Sequence, residues 1–571
     1  MNLRSMIAYS SGKEPSELVF KNINVVNVFT GEIYPADIAV NDGVIVGIGS
    51  YEGLIEKNMT GKYAVPGLMD GHIHIESSMV SPFQLNKALL PLGTTTIIAD
   101  PHEIANVCGI TGIEYMIEAS MSIPLDIFLM APSCVPATPS EMAGGIISTH
   151  DIETLLKNNH VLGLGEIMNF PGVLSGETDI WDKIDLANKY DIVIDGHAPG
   201  VVGNDLNTYV MAGIKSDHEC TTLEEAMQRI RLGQWVMIRE GTASKNLDDL
   251  FPIISLSKSR RLLLVTDDKH PEELTEKGHM DYSIRRLIEK GTNPVTAIQM
   301  ATINTAEYFR LHDRGAIAPG YIADILVLDD LEKFVIHEVY KRGKLVANHQ
   351  GIIMTGSEIN DASVRKSFFM PELTPDKLAL KVKGSKVRVI GVVPNQIITR
   401  ELIFDIQTND EEIGGDVEQD VIKIVVAERH NNTGKVGVAL VHGFGLKEGA
   451  IASSIGHDSH NLTIIGTNDD DICMAGNTIR KLQGGICIVR GGIVLEALSL
   501  PIAGLMTSED LYFVNDKLKK MKEIAVTMGV YSHIDPFMTL AFMTLPVIPE
   551  LKLTPKGLVD VETQTLVEIS I

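Results

Sequence analysis

Cysteine is scarce: Cys108, Cys134, Cys220, Cys473 and Cys487 are the five in 571 residues. Odd in number, scattered and never spaced CxxC, they exclude a disulfide framework and a thiolate zinc site, which fits a reducing cytoplasm. Positive charge is also in short supply. Lys plus Arg total 49 against 74 Asp plus Glu, a formal net charge of −25, so a polyanion such as DNA or RNA is not an expected partner. No run approaches the ~20 apolar residues that cross a bilayer, and the opening MNLRSMIAYSSGKE has no continuous apolar core of a signal peptide. The expectation is a soluble, cytoplasmic protein with a small-molecule substrate and no membrane partner. The pairs Gly484-Gly485 and Gly491-Gly492 lack the GxxxxGK[ST] spacing of a phosphate loop and read as turns.

What is present centres on residues 65–77, VPGLMDGHIHIES. His72 and His74 flank Ile73 at the end of an apolar run. Alternation along a strand points both imidazoles one way, with Cα atoms about 6.5 Å apart, a separation that suits two nitrogens on one divalent metal.

In chain order, residues 18–48 alternate as short strands around a hairpin signal at Asn41-Asp42-Gly43. Similar material returns at 323–347, with a turn at Arg342-Gly343. Residues 1–65 and 315–355 are therefore expected to form one small composite β-sandwich domain around an insertion. That insertion, 66–314, holds eight strand-like runs: GLMDGHIHI, TTTIIADPH, LDIFLMAPS, VLGLGEIM, IVIDGHAP, GIKSDHE, QWVMIREG and LLLVTDD. Helical patterns separate them, among them 112–120, 180–190, 223–232 and 282–290. Eight β-α alternations in about 250 residues match an α/β fold of the (β/α)8 TIM-like barrel type. Residues 356–370 read as a linker and 371–571 as a C-terminal α/β domain of α+β arrangement. A helix there opens at Asp469 and closes near Gly484, and another follows Ser508.

The barrel runs begin apolar and end polar: His72 and His74, Asp100 and His102, Glu166, His197, His218, Arg239 and Glu240, Asp267 and Asp268. Barrel sites form at the C-terminal strand ends, so these residues converge on one mouth. His72, His74 and Asp267 could hold one divalent cation, His197 and His218 a second, with Glu166 between them. Such a pair makes water acidic enough for metal-assisted hydrolysis at neutral pH.

The strings PGLMDGHIHIESSM, ADPHEIANVCG, GLGEIMNFPGV, DGHAPG, SDHECTT, REGTASKNL, TDDK and the late GHDSHN resemble the amidohydrolase superfamily, and within it the bacterial type of adenine deaminase family, over essentially the whole chain. The resemblance implies a dinuclear centre on His72, His74, Glu166, His197, His218 and Asp267, holding Mn²⁺ or Fe²⁺, with Zn²⁺ as a further option. It implies conversion of adenine and water to hypoxanthine and ammonia in purine salvage, by a homo-oligomer, a dimer. Many relatives bridge their metals with a carbamylated lysine; Glu166 stands there instead. Asp267, Asp268, Glu103 and Glu240 are the candidate carboxylates for proton transfer, and His102 is either a proton donor or an orienting partner. His457, Asp458 and His460 are either a loop over the barrel mouth or a polar surface turn.

The zinc cytidine deaminase signature is incomplete, because its P-C-x-x-C half is absent: Cys134 follows Ser133 and has no cysteine three residues on. A cyclic amide hydrolase of the dihydropyrimidinase or hydantoinase kind would use the same ligands to open a ring. A non-catalytic, decayed barrel would lack ligands, and none of the six is missing.

Overall fold

The structure, a computed structural model, describes residues 3–242, 244–255, 258–394, 396–405 and 413–571. Its centre is a ring of eight parallel strands: β1 (Leu68–Ile73), β2 (Thr94–Ala99), β3 (Asp126–Ala131), β4 (Val161–Ile167), β5 (Val193–Gly196), β6 (Ser216–Asp217), β7 (Trp235–Arg239) and β8 (Leu262–Val265). β1 to β5 form one hydrogen-bonded arc and β6 to β8 another. The arcs join where the Lys215 amide donates to Ile194 O and where Ile73 bridges Asp267 in parallel. All eight expected runs are strands of this barrel.

Alternation explains why most of the strands read as largely apolar. Met69, Ile98, Met130, Met237 and Leu263 pack together inside the barrel with Tyr308 and Phe309. Their neighbours Leu68, Ile97, Leu129, Val236 and Leu264 join the core that includes Ile113, Ile184 and Leu287 of the surrounding helices. With both faces covered, each strand can afford few polar positions before its end. The expected helices are Ile110–Ser120, Thr178–Lys189, Leu223–Arg231 and Met280–Glu289. Leu223–Arg231 starts at a capping box in which Thr222 and Glu225 each bond the other's backbone N–H.

The chain on either side of the barrel forms one sheet. Ser16–Val26, Ile33–Asn41, Val44–Gly49, Gly53–Asn58 and Tyr63–Pro66 are joined by Ile325–Asp330, Val335–Lys341, Lys344–Asn348 and Gly351–Ile352. The halves meet where Ile325 pairs with Pro66. The sandwich arises because this single sheet folds over itself, so that Val44 bridges Ile322 around a core with Phe20, Ile38 and Ile325. Asp42-Gly43 and Arg342-Gly343 both carry positive φ at each residue, as a two-residue hairpin requires. Asp126, at the start of β3, ties barrel to sheet through Arg314 at 2.6 Å and Lys341 at 2.7 Å.

Past a stretch along the barrel, where Asn86 donates to Thr355 O, lies an eight-stranded sheet, antiparallel except where Lys386–Val392 runs beside Val436–His442. The helices Asp469–Leu482 and Leu511–Thr527 belong to this half. A small hairpin unit, Leu551–Thr554, Gly557–Asp560 and Thr565–Val567, follows. Among the described residues, no helix is long and apolar enough to cross a membrane.

Candidate active site

His72 and His74 leave the end of β1 with ring centroids 4.9 Å apart, while Ile73 packs the other way into the outer core. His74 Nδ1 lies 3.1 Å from Asp100 O, which makes it the protonated nitrogen and leaves Nε2 with its lone pair directed inward. That Nε2 is 3.0 Å from Asp267 Oδ1 and 3.4 Å from Glu166 Oε1. His72 Nε2 lies 3.6 Å from Glu166 Oε1 and 3.8 Å from Asp267 Oδ1. The other oxygen of Glu166 faces a second pair, 2.8 Å from His197 Nδ1 and 3.3 Å from His218 Nε2. One buried carboxylate thus has two imidazoles against each of its oxygens.

These donors suit divalent cations. His72 Nε2 is buried without a hydrogen-bond partner, and His197 Nδ1 faces His218 Nε2 at 3.2 Å across the same carboxylate oxygen. The ligand atoms of His72, His74 and Glu166 lie within 4.8 Å of one another, as do those of Glu166, His197 and His218. A set of imidazoles and carboxylates without thiolate matches Zn²⁺, Mn²⁺ or Fe²⁺.

A further set of residues holds these side chains in place. The Glu166 N–H donates to Asp100 Oδ2 at 2.9 Å, and the His72 and Thr266 N–H groups both donate to Asp70 Oδ1. Asp217 pairs with the fully buried Arg229 at 2.8 Å, and Arg229 also donates to Ala198 O, which locks the backbone beside His197 and His218. Arg239 donates to Asp267 Oδ2 at 2.7 Å and to Glu219 Oε1 at 2.6 Å. Burial pushes the Glu166 and Asp267 carboxyls upward. His218 and His197 around Glu166, and His74 and Arg239 around Asp267, outweigh it and hold both well below the usual carboxylate range.

Asp267 and Asp268 lie beyond the strand expected from LLLVTDD: β8 stops at Val265, and Asp267 sits in left-handed backbone with φ 59°. Both residues line the cavity, and Asp268 Oδ1 accepts from Ser77 Oγ. Asp residues tolerate this conformation better than most. His102 stands 3.4 Å from Asp100 Oδ1 and 3.6 Å from Glu166 Oε1. Glu103 is buried, 2.7 Å from His457 Nδ1 and hydrogen-bonded to His460 Nε2. The GHDSHN segment is therefore not a surface turn: His457, Asp458 and His460 are buried, and His457 and Asp458 line the cavity. Glu240 does not line it; the cations acting on its carboxyl are Lys269 and Lys245.

Several cavity residues escaped the sequence reading. Glu219 stands next to His218 in SDHE, a charged residue at a strand end that the same logic could have found. Ile397, Phe542, Leu545, Val547 and Ile548 close the cavity from the C-terminal half, and ordinary apolar residues carry no local signal.

Barrel, mouth and donor set define a metal-dependent hydrolase, and comparison with known proteins specifies the kind. Residues 63–346 match the family model described as the amidohydrolase family, and residues 396–565 the adenine deaminase C-terminal domain. "Adenine deaminase 2" of Carboxydothermus hydrogenoformans is 48% identical over 569 residues, covering 100% of both chains. The adenine deaminase of Ligilactobacillus salivarius is 46% identical over 99% of this chain and 98% of its own. That of Clostridium acetobutylicum is 44% identical over 98% of each. The chain belongs to the adenine deaminase family, within the amidohydrolases.

Proposed function

We propose that this protein hydrolyses adenine to hypoxanthine and ammonia at the barrel mouth, with two divalent cations, Mn²⁺ or Fe²⁺, held by His72, His74, Glu166, His197, His218 and Asp267, in purine salvage. The observation that carries this reading is Glu166, whose two oxygens face separate histidine pairs. Bound cations supply the positive charge that lets water attack at neutral pH.

The chain's own groups then handle protons. The reaction forms a C6–O bond and breaks the bond from C6 to the exocyclic nitrogen, so one water proton must reach ring nitrogen N1 and another the departing amine. Asp267, restrained by Arg239, accepts the first. Asp268, His102 and Glu103 are among the groups lining the cavity that can return protons to the base. The histidines of 456–461 orient Glu103, and Met168, Phe542 and Leu545 supply the apolar surface a purine needs.

The test is ultraviolet conversion of adenine with ammonia release, and metal content measured on the same sample. Two ions per chain, turnover of adenine, and little turnover of adenosine or dihydrouracil are expected. Comparable rates on adenosine would overturn the free-base assignment, and ring opening of dihydrouracil the deaminase assignment.

A further inference from the structure

Lys552 lies on the short strand Leu551–Thr554 and is fully buried, yet it forms no ion pair among the described residues. Its Nζ donates to the carbonyl of Ile397 at 3.0 Å and to the carbonyl of Phe542 at 2.8 Å. Both residues line the active-site cavity, and Phe542 stacks on His457 with ring centroids 4.6 Å apart. The two segments are remote in sequence, and both reach this strand. Thr399 Oγ1 donates to Leu551 O, and the Leu553 N–H donates to Met543 O.

An unpaired buried amine is an unfavourable choice unless its protons are needed. Burial lowers the Lys552 pKa to about 7, toward a neutral amine with two N–H donors, the number its two carbonyl partners require. An apolar side chain of the same length would take the donor from both carbonyls, the buried one of Phe542 and the half-buried one of Ile397, and remove the tie between the segments.

We propose that Lys552 is a positioning residue for substrate selection: by tying Ile397 to Phe542 it fixes the apolar wall that confines the site to a free purine base. The inference rests on the assignment of the barrel mouth as the adenine site. The metal ligands and the acids that move protons all come from the barrel, whereas Ile397 and Phe542 come from the C-terminal half. Phe542 touches that machinery through His457, which it stacks on and which pairs with Glu103, so loosening the wall should act mainly on binding and selectivity, less on kcat, and leave the metal in place.

Lys552→Met separates the possibilities. Relative to the parent, its KM for adenine should rise about tenfold with kcat changed by less than about threefold, and its preference for adenine over 9-methyladenine in kcat/KM should fall about tenfold. Metal content should equal the parent's. A folded variant with parental KM and selectivity would overturn the proposal, as would parallel loss of kcat and metal. Should Lys552→Met fail to fold, Ile397→Ala leaves the clamp intact and shortens the wall; an unchanged adenine to 9-methyladenine ratio there would also overturn it. Failure of the underlying site assignment would show separately, as retained activity in Glu166→Gln.

Discussion

Replacing Glu166 by glutamine changes one oxygen to an amide nitrogen and removes one negative charge, with almost no change in volume. The amide oxygen can face only one of the two histidine pairs, so its NH2 must point at the other. One cation position then meets a donor where it needs an acceptor, and the other keeps a neutral oxygen. Removing groups that merely support ligands costs about 10–100-fold in metal affinity. A shared ligand touches both positions, so affinity should fall at least about 100-fold and turnover about 1000-fold, the latter equal to about 4 kcal/mol in the barrier. The fold should survive, because a buried neutral amide is less costly to desolvate than a carboxylate. Elemental analysis of dialysed protein, steady-state adenine conversion and thermal denaturation on the same preparation give all three numbers. Two tightly held ions and turnover within a few fold of the parent would refute the bridging role.

Asp267→Asn should reduce turnover more severely than Asp268→Asn and take metal with it, since Asp267 lies against His74 and Arg239 whereas Asp268 is held by Ser77; metal analysis and kinetics on both variants check this, and the opposite pattern reverses the roles. Away from the mouth, Asp126→Asn should destabilise the protein by about 3 kcal/mol at pH 7, because it leaves Arg314 and Lys341 buried with one fewer acid. Burial raises the Asp126 carboxyl, but Lys341 and Arg314 outweigh it and hold it below its ordinary range. Its contribution is thus present above the ordinary carboxylate value of about 4 and is lost progressively as pH falls from there toward the lower folded-state value. Denaturant titrations at pH 7 and pH 3 should show the gap between parent and variant closing at the lower pH; a gap that widens would contradict the ion-pair account.

The barrel was legible because its rule is periodic. Most runs from GLMDGHIHI to LLLVTDD are apolar on both faces before their polar ends, with Ser216–Asp217 the clear exception, so most strand positions and mouth residues came from one pattern. The composite sheet was legible for a related reason, since neither half has enough strands to cover its own core. Backbone conformation past a strand end follows no period, and so the residues point to Asp267 and Asp268 at the site but not to the left-handed backbone at Asp267. The wall formed by Ile397 and residues 542–548 was invisible, because apolar residues that face a cavity look the same in sequence as those that face a core. Lys552 was hidden for the opposite reason: a lysine in a strand normally signals solvent, and its burial depends on carbonyls 155 and 10 positions away.

The pairing of Pro66 with Ile325 has a consequence in time. A ribosome adding about 5–20 residues per second needs on the order of 10–50 s to make the chain between them. Through that interval the first five strands carry Phe20, Ile38 and Val40 without the partners that later cover them. The barrel is synthesised whole before the sheet can close, and its completion brings the two edges together. The sheet then acts as a late fastener, and conditions that slow synthesis of residues 66–325 should lengthen the period in which the nascent N-terminal strands depend on chaperones.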